Sequence, residues 1–270
     1  MTAPLPPGPG RAGASASPKA TAMLLAAGRG ERMRPLTDTC PKPLLPVRGK
    51  PLMQWTLEAL GAGGCENVVV NTGWLGDEIE HHFGLQPLLN KRIQLSIAYS
   101  SEPRGPGAAF ETLGGIVRAL PLLDDVFWLS AGDVFVPGFR FDPAARKRFA
   151  ATDALAHLWL VPNPPHHPAG DFGIDVQGRA TDRAPGDAAT RYTYSTIGLY
   201  RAALFAAPWC PIPRGNPQGI AAPLAPLLRA AIAAGKVTAE VYRGEWTDVG
   251  TPARLAALNA DTASHHGNGS

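Results

Sequence analysis

The chain has 270 residues, 45% of them hydrophobic, enough apolar material to bury one large core. A net charge of +3, with no like-charge block longer than Arg146–Arg148, leaves no electrostatic footprint for nucleic acid. Three widely spaced cysteines, Cys40, Cys65 and Cys210, form neither a zinc motif nor a disulfide framework, and no stretch reaches the ~18 apolar residues of a membrane span.

Residues 1–18 are rich in Pro, Gly, Ala and Ser and lack an apolar h-region, so a disordered tail is expected there and not a secretory signal. Ala22–Ala27 reads as a buried strand that stops at Gly28 and Gly30. A helix is expected to open at Gly49-Lys50-Pro51, with Pro51 in its first turn and Leu52, Trp55, Ala59 and Leu60 as its apolar stripe. Gly61, Gly63 and Gly64 stop it. Val68–Val70 follows as a strand, Gly76–Phe83 as a short amphipathic helix and Ile93–Tyr99 as an alternating strand. Ala108–Leu120 reads as a helix and Val126–Ala131 as a further apolar strand. Strands that are apolar throughout, alternating with helices, predict a mostly parallel sheet covered on both faces.

In the second half, the strand Ala154–Val161 runs into a Pro-rich loop, Asn163–Gly173, where His166-His167 reads as a solvated pair beside a pocket and not as a zinc site. Gln177-Gly178 marks a turn, Tyr192–Tyr200 a Thr/Tyr-rich strand, Leu224–Ala234 a helix and Val237–Tyr242 a strand. Thr251-Pro252 has cap and first-turn chemistry for a last helix to Asn259.

The segment between the first strand and first helix carries the most chemistry. A strand ending in a glycine turn leaves backbone N–H groups unpaired, and glycine admits a close approach to them. Arg29, Arg32, Arg34 and Lys42 surround this turn, with Lys42 set between Pro41 and Pro43. Cations around free N–H groups make a site for several adjacent negative charges, as in a polyphosphate. The dinucleotide pattern GxGxxG fails because Met33 stands at the third glycine, and the Walker A pattern fails because Gly49-Lys50 is followed by Pro51. On the two glycines alone, an ordinary strand-to-helix turn with surface arginines is the competing reading.

AAGRGERMRP followed by PKPLLPVRGKP resembles the sugar-1-phosphate nucleotidyltransferase signature, LAAGxGxRMxP … PKPLxPVxGKP. VVVNTGWLGDEIEHHFG, ETLGGI, AGDV and WTDVGTP follow in the order that family shows. Within it, GWLGDEIEHHFG, NPPHHPAGDFG, APLLRAAIAAGKV and YRGEWTDVGTPARL are most similar to bacterial N-acetylmuramic acid 1-phosphate uridylyltransferases of cell-wall recycling. The resemblance implies an α/β fold: a single Rossmann-like three-layer αβα domain over residues 19–262, with a mostly parallel mixed sheet and a frayed end at 263–270. It implies a cytoplasmic enzyme, a monomer or weak homo-oligomer, whose partners are UTP and a sugar 1-phosphate, without nucleic acid or membrane.

The implied reaction is attack by a sugar-phosphate oxygen on the α-phosphorus of UTP, releasing pyrophosphate, with Mg²⁺ as cofactor. Both reactants are anions, so catalysis rests on positioning and charge neutralisation; the attacking phosphate is already ionised and needs no general base. By resemblance, Ala26, Ala27, Gly28 and Gly30 form the nucleotide cradle. Arg32 meets the leaving phosphates and Lys42 bridges phosphate oxygens, while Arg29 and Arg34 face solvent. Glu111, Thr112 and Gly114, within Glu111–Gly115, receive the base. Asp133 and Asp248 hold Mg²⁺, which takes one or two protein carboxylates and fills its octahedron with phosphate and water. Asp171, Gly173 and Ser195 lie beside the sugar phosphate.

The chain departs from the family pattern at several positions. Ala131 stands where Asn commonly precedes Gly-Asp, and Leu113 enters the glycine-rich base motif. Arg104–Gly107 lengthens the preceding loop. No EKP-type lysine for the sugar phosphate occurs near Arg179–Asp187, where Arg183 is the substitute at hand. These changes keep two other functions open: another pair, such as GTP with mannose 1-phosphate or another hexose 1-phosphate, and a catalytically silent nucleotide-sugar sensor.

Overall fold

Strands whose side chains are apolar on both faces need two covering layers, and the chain supplies both. The computed structural model describes residues 20–103, 109–182 and 190–265, with side chains through Ala260. Residues 1–18, Arg104–Gly107, Arg183 and the final five positions lie outside the described residues.

Strand β1 (Ala20–Ala26) leads through the cradle to helix α1 (Leu52–Ala62). Next come β2 (Asn67–Thr72), α2 (Gly76–Phe83), β3 (Ser96–Ser101), α3 (Glu111–Ala119) and β4 (Leu123–Ala131). Helix α4 (Pro143–Ala150) precedes β5 (Ala156–Val161), the hairpin β6 (Phe172–Ile174) and β7 (Ala180–Thr181), and the long β8 (Arg191–Arg201). Helix α5 (Leu224–Ala233), β9 (Val237–Val241) and α6 (Pro252–His265) complete it.

The nine strands form one sheet in the order β7-β6-β8-β4-β1-β2-β3, with β5 paired to β8 and β9 paired to β5. β1–β2, β1–β4, β2–β3 and β5–β9 are parallel, whereas β8 is antiparallel to β4, β5 and β6. Alternate residues of each strand feed opposite cores. Met23, Phe127 and Leu129 pack with α3 and α5, and Leu24, Val70 and Trp128 pack with α1, α2 and α4. The result is the expected three-layer α/β/α arrangement around a mostly parallel mixed sheet.

A third, smaller core positions the site. Met33 of the cradle packs with Leu45, Val47, Leu52, Phe135 and Val249, and with Leu255 and Leu258 of α6. The short antiparallel pairing of Val134–Phe135 with Thr247–Asp248 lies in the same region. It brings the chain after β4 and the chain before α6 together at the C-terminal ends of the parallel strands, where open α/β sheets place ligands.

Several boundaries differ from the sequence expectation. Pro51 caps α1 from a two-residue β-bridge instead of entering its first turn. α6 runs to His265, beyond Asn259. Helix α4, which periodicity leaves unassigned, starts on a sharp local signal: the Asp142 side chain accepts from Ala144 N at 2.8 Å and Pro143 occupies the first turn. No helix among the described residues is long and apolar enough to cross a membrane. Asp142→Ala is expected to lower stability by about 1 kcal/mol in urea unfolding, and Asp142→Ser by a few tenths at most.

Candidate active site

At the end of β1 the backbone turns through Gly28 and Gly30. Gly30 adopts a left-handed φ of +67°, and a Cβ there would stand 3.1 Å from Thr37 Cγ2 and 3.3 Å from Lys42 Cβ. Thr37 Oγ1 donates to Gly30 O at 2.9 Å and Met33 N to the same oxygen at 2.8 Å, which fixes the turn from below. Ala26, Gly28, Gly30, Arg32, Lys42 and Asp133 all line a cavity of about 430 Å³. Arg32 is exposed and makes no ion pair among the described residues. Arg34 turns outward to Asp38 at 2.7 Å, as expected of a solvent-facing residue. Arg29 departs from that expectation: it lines the cavity and its guanidinium lies 4.2 Å over the Trp74 ring.

Lys42 is only 7% exposed, and its Nζ donates to Asp133 Oδ2 at 2.6 Å. Flanking Pro41 and Pro43, both buried, aim the ammonium at the end of β4. Asp133 also lines a second, more apolar cavity of about 580 Å³ that adjoins the first through Leu25 and Gly28. The Lys42–Asp133 pair therefore stands where the two spaces meet.

Asp248 lies next to Val134 in the short ribbon, and Val249 N donates to Asp133 O at 3.1 Å. Its Oδ2 accepts from Arg254 Nη1 at 2.9 Å. Gly250 lines the smaller cavity, and a Cβ there would lie 2.8 Å from Asp248 Oδ1. Asp248 itself lines neither cavity. Neither its Oδ1 nor that of Asp133 has a protein partner among the described residues. Carboxylate oxygens are the ligand type that a hard divalent cation takes. No group of three or more acidic, His or Cys side chains at metal-binding geometry occurs among the described residues.

Ala27, Gly28, Glu111 and Thr112 line the larger cavity, as does Asp171. Gly114 does not. Its N–H and that of Leu113 point to Ala222 O, and a Cβ on it would meet Ile220 O, so this glycine serves a close contact with the chain before α5. Leu113 is buried in the core beneath α3 and blocks no approach to the cavity. Gly173 likewise sits in the β6–β7 ladder, where a Cβ would stand 2.6 Å from Thr181 Oγ1.

Ser195 is fully buried, and its side chain is turned away from the cavity. Residues Ser195 and Thr196 form a bulge against β5, where the register jumps between Trp159–Ile197 and Leu160–Tyr194. Ser195 Oγ donates to Trp159 O at 2.6 Å and accepts from Ile197 N at 3.1 Å, replacing the ladder bonds that the bulge removes. Thr196, at φ +66°, is the residue aimed into the cavity. Trp246 Nε1 donates to Ser195 O at 3.0 Å, which ties the bulge to the strand that carries Asp248.

Two cavity residues escaped motif reading. Asn71 is the penultimate residue of β2, its Oδ1 accepts from Ala26 N at 2.9 Å, and its Nδ2 donates to Glu102 Oε1. Glu102 Oε2 in turn accepts from Phe110 N at 2.8 Å. Both line the larger cavity. Polar residues closing apolar parallel strands are the signal that marks them. Burial pushes the Glu102 carboxyl above the ordinary glutamate range, against the opposing pull of the Phe110 N–H, Asn71 and Arg118.

A carboxyl raised in the folded state favours folding below its unfolded value and loses that contribution as pH rises through the raised one. The unfolding free energy of the wild type, relative to Glu102→Gln, is accordingly expected to decline as pH rises from about 4 toward neutrality. Urea unfolding of both proteins across that range measures it, and parallel curves contradict it.

The sequence profile of the Nucleotidyl transferase family matches residues 21–183, more than half of the chain. The N-acetylmuramate α-1-phosphate uridylyltransferase of Neisseria meningitidis serogroup B is 42% identical over 241 residues, 88% of this chain and 96% of that protein. The enzyme of the same description from Caulobacter vibrioides is 32% identical over 257 residues, 90% of this chain and 97% of its own length. In fold, the chain is similar to the crystal structure of HddC from Yersinia pseudotuberculosis complexed with GMP-PN. That likeness has a TM-score of 0.65 at 15% identity and covers 90% of this chain and 99% of the other. The chain belongs to the nucleotidyl transferase family.

Proposed function

We propose that this enzyme transfers the uridylyl group of UTP to N-acetylmuramic acid 1-phosphate, forming UDP-N-acetylmuramic acid and pyrophosphate in peptidoglycan recycling. The Lys42–Asp133 pair at the junction of the two cavities carries the reaction type. Likeness to two uridylyltransferases over most of their length supports the choice of base and acceptor.

The smaller cavity suits the β- and γ-phosphates. Gly28 and Gly30 line it, and the exposed Arg32 guanidinium with Arg29 supplies positive charge. The larger, more apolar cavity suits the uracil and ribose along Glu111 and Thr112, with the acceptor entering beside Asp171 and Thr196. The α-phosphorus then lies near Lys42, whose ammonium meets the non-bridging oxygens as negative charge gathers there. Asp133 and Asp248 would hold Mg²⁺ through their free oxygens. The ion supplies electrostatic stabilisation of the charged phosphoryl group and the leaving pyrophosphate. The protein has two tasks left: to align the acceptor oxygen in line with the leaving group and to exclude water from that line.

Lys42→Ala is expected to lower kcat by about 100- to 1,000-fold, the range found when one preorganised donor to a developing charge is removed. Asp133→Asn, which keeps an acceptor for the Lys42 ammonium, should abolish turnover, while circular dichroism shows both variants folded. Pyrophosphate release across four nucleoside triphosphates and a series of sugar 1-phosphates tests the substrate pair. Preference for GTP or dTTP, or for a hexose 1-phosphate without the lactyl ether, would overturn it. Nucleotide binding with no turnover on any acceptor would favour a sensor instead.

A further inference from the structure

Between helix α4 and the paired strands β5 and β9 lies a third cavity, of about 170 Å³. It shares no lining residue with the two cavities of the candidate active site. Parallel pairing sets His157 beside Thr238 and Trp159 beside Glu240, so these four side chains share one face of the sheet. All four line the cavity, and α4 contributes Arg148 and Phe149. Phe149 and Trp159 are buried in the apolar core on this side of the sheet. The polar groups beside them are only partly matched to one another.

His157 Nδ1 stands 2.8 Å from Thr238 Oγ1, which leaves Nε2 as the ring nitrogen without a hydrogen bond. Glu240 accepts the Trp159 indole N–H through Oε1, and its Oε2 lies 3.9 Å from His157 Nε2. That gap is too long for a hydrogen bond and leaves room for a donor atom shared by both. Burial holds the His157 pKa below the ordinary histidine range; Glu240 opposes this and Arg148 adds to it. The ring is therefore mostly neutral at neutral pH, and in the tautomer that donates Nδ1–H to Thr238 its Nε2 is an acceptor. Two acceptors, one of them a carboxylate, adjoin a single gap. Glu240 forms no ion pair with Lys or Arg among the described residues. An ammonium group supplies the missing charge and several N–H donors, and the neighbouring Trp159 and Phe149 rings favour a cation.

Arg148 places the opposite charge on the α4 wall. Its side chain is 72% exposed, and its carboxylate neighbour among the described residues, Asp142, is 3.9 Å away. Glu240 and Arg148 both act on the His157 ring, so unlike charges border one small space. A lone amine there meets the repulsion of Arg148, and a lone acid meets that of Glu240. A molecule with an ammonium and a carboxylate on one carbon satisfies both. The volume equals about six waters' share of the liquid, enough for glycine or alanine and too little for a nucleotide or a sugar phosphate.

We propose that this cavity is a second ligand site, which takes a small α-amino acid with its ammonium between Glu240 and His157 and its carboxylate toward Arg148. The site stands independently of the substrates proposed above.

L-Alanine, ethylamine and propionate form a matched set for the test: removing the carboxylate of the first gives the second, and removing its ammonium gives the third. Each is titrated into the full-length protein without nucleotide. The indole N–H resonance of Trp159 is followed by NMR, its assignment fixed by Trp159→Phe. Alanine should shift this resonance saturably with a Kd of about 1 mM or lower, within reach of a ligand of about six non-hydrogen atoms. Propionate should bind at least about tenfold more weakly, and Glu240→Gln should weaken alanine binding by a similar factor. Ethylamine in wild type and alanine in Arg148→Ala should each lose severalfold, since the guanidinium is exposed and screened. Both substitutions fall on exposed side chains, and circular dichroism checks that the fold is kept. No saturable shift with alanine up to about 10 mM overturns the site. So does binding of propionate or ethylamine as tight as that of alanine, or an unchanged alanine Kd in either variant. Turnover plays no part in these readings, so failure of the proposed substrate pair leaves them standing.

Discussion

A lysine that is 7% exposed and a carboxylate 2.6 Å from it hold the two sides of the cleft in register. Lys42 arrives on a rigid Pro-Lys-Pro segment from the β1 side, and Asp133 arrives from the end of β4. A buried ammonium without a partner costs several kcal/mol, so the pair is a condition for both segments to sit where they do. It is also only half committed. Asp133 keeps one oxygen free, and Lys42 lies at the wall of a cavity able to take a chain of phosphates. In the proposed reaction these opposite charges stand ready for a polyanion and a cation.

The rest of the fold stiffens this arrangement from below. Ala26 N is taken by Asn71, Asn71 by Glu102, and Glu102 by Phe110 N, so the ends of β1, β2 and the start of α3 are connected by side-chain hydrogen bonds beneath the larger cavity. A Cβ on Gly115 would strike both Glu102 and Asn71, which explains that glycine in the base motif. On the far side, Met33, Phe135 and Val249 pack into one small core with α6. The cradle, the Asp133 turn and the Asp248 ribbon share that core, so a shift in any one of them is felt by the others.

Much of the architecture could be read from the sequence because its signals are local and strong. Apolar runs such as Val68–Val70 and Val126–Ala131 sit in β2 and β4, and Gly76–Phe83 has the boundaries its amphipathic pattern predicts. Helix α4 is mostly polar on its visible face and betrays itself only through Asp142-Pro143. Within the site, motif reading placed Arg32, Lys42 and Asp133 on one cavity, but it could not tell backbone from side-chain roles. Ser195 and Gly114 belong to segments that border the cleft, yet the bulge turns the serine inward and the helix presses the glycine against Ile220. Asn71 and Glu102 were hidden because a polar residue ending a strand has no fixed spacing to search for. Contacts such as Arg254 with His166 join positions 88 apart and exist only once the sheet is assembled.

The bulge in β8 has a consequence for how such a site changes over generations. Ser195 closes the broken ladder with its own hydroxyl, so the strand keeps its register whatever side chain follows at 196. The strand that carries this bulge is hydrogen-bonded to β4, whose end leads to Asp133, and Trp246 ties it to the ribbon that carries Asp248. A substitution at 196 therefore alters the lining of the larger cavity while the bonds that close the bulge stay with Ser195.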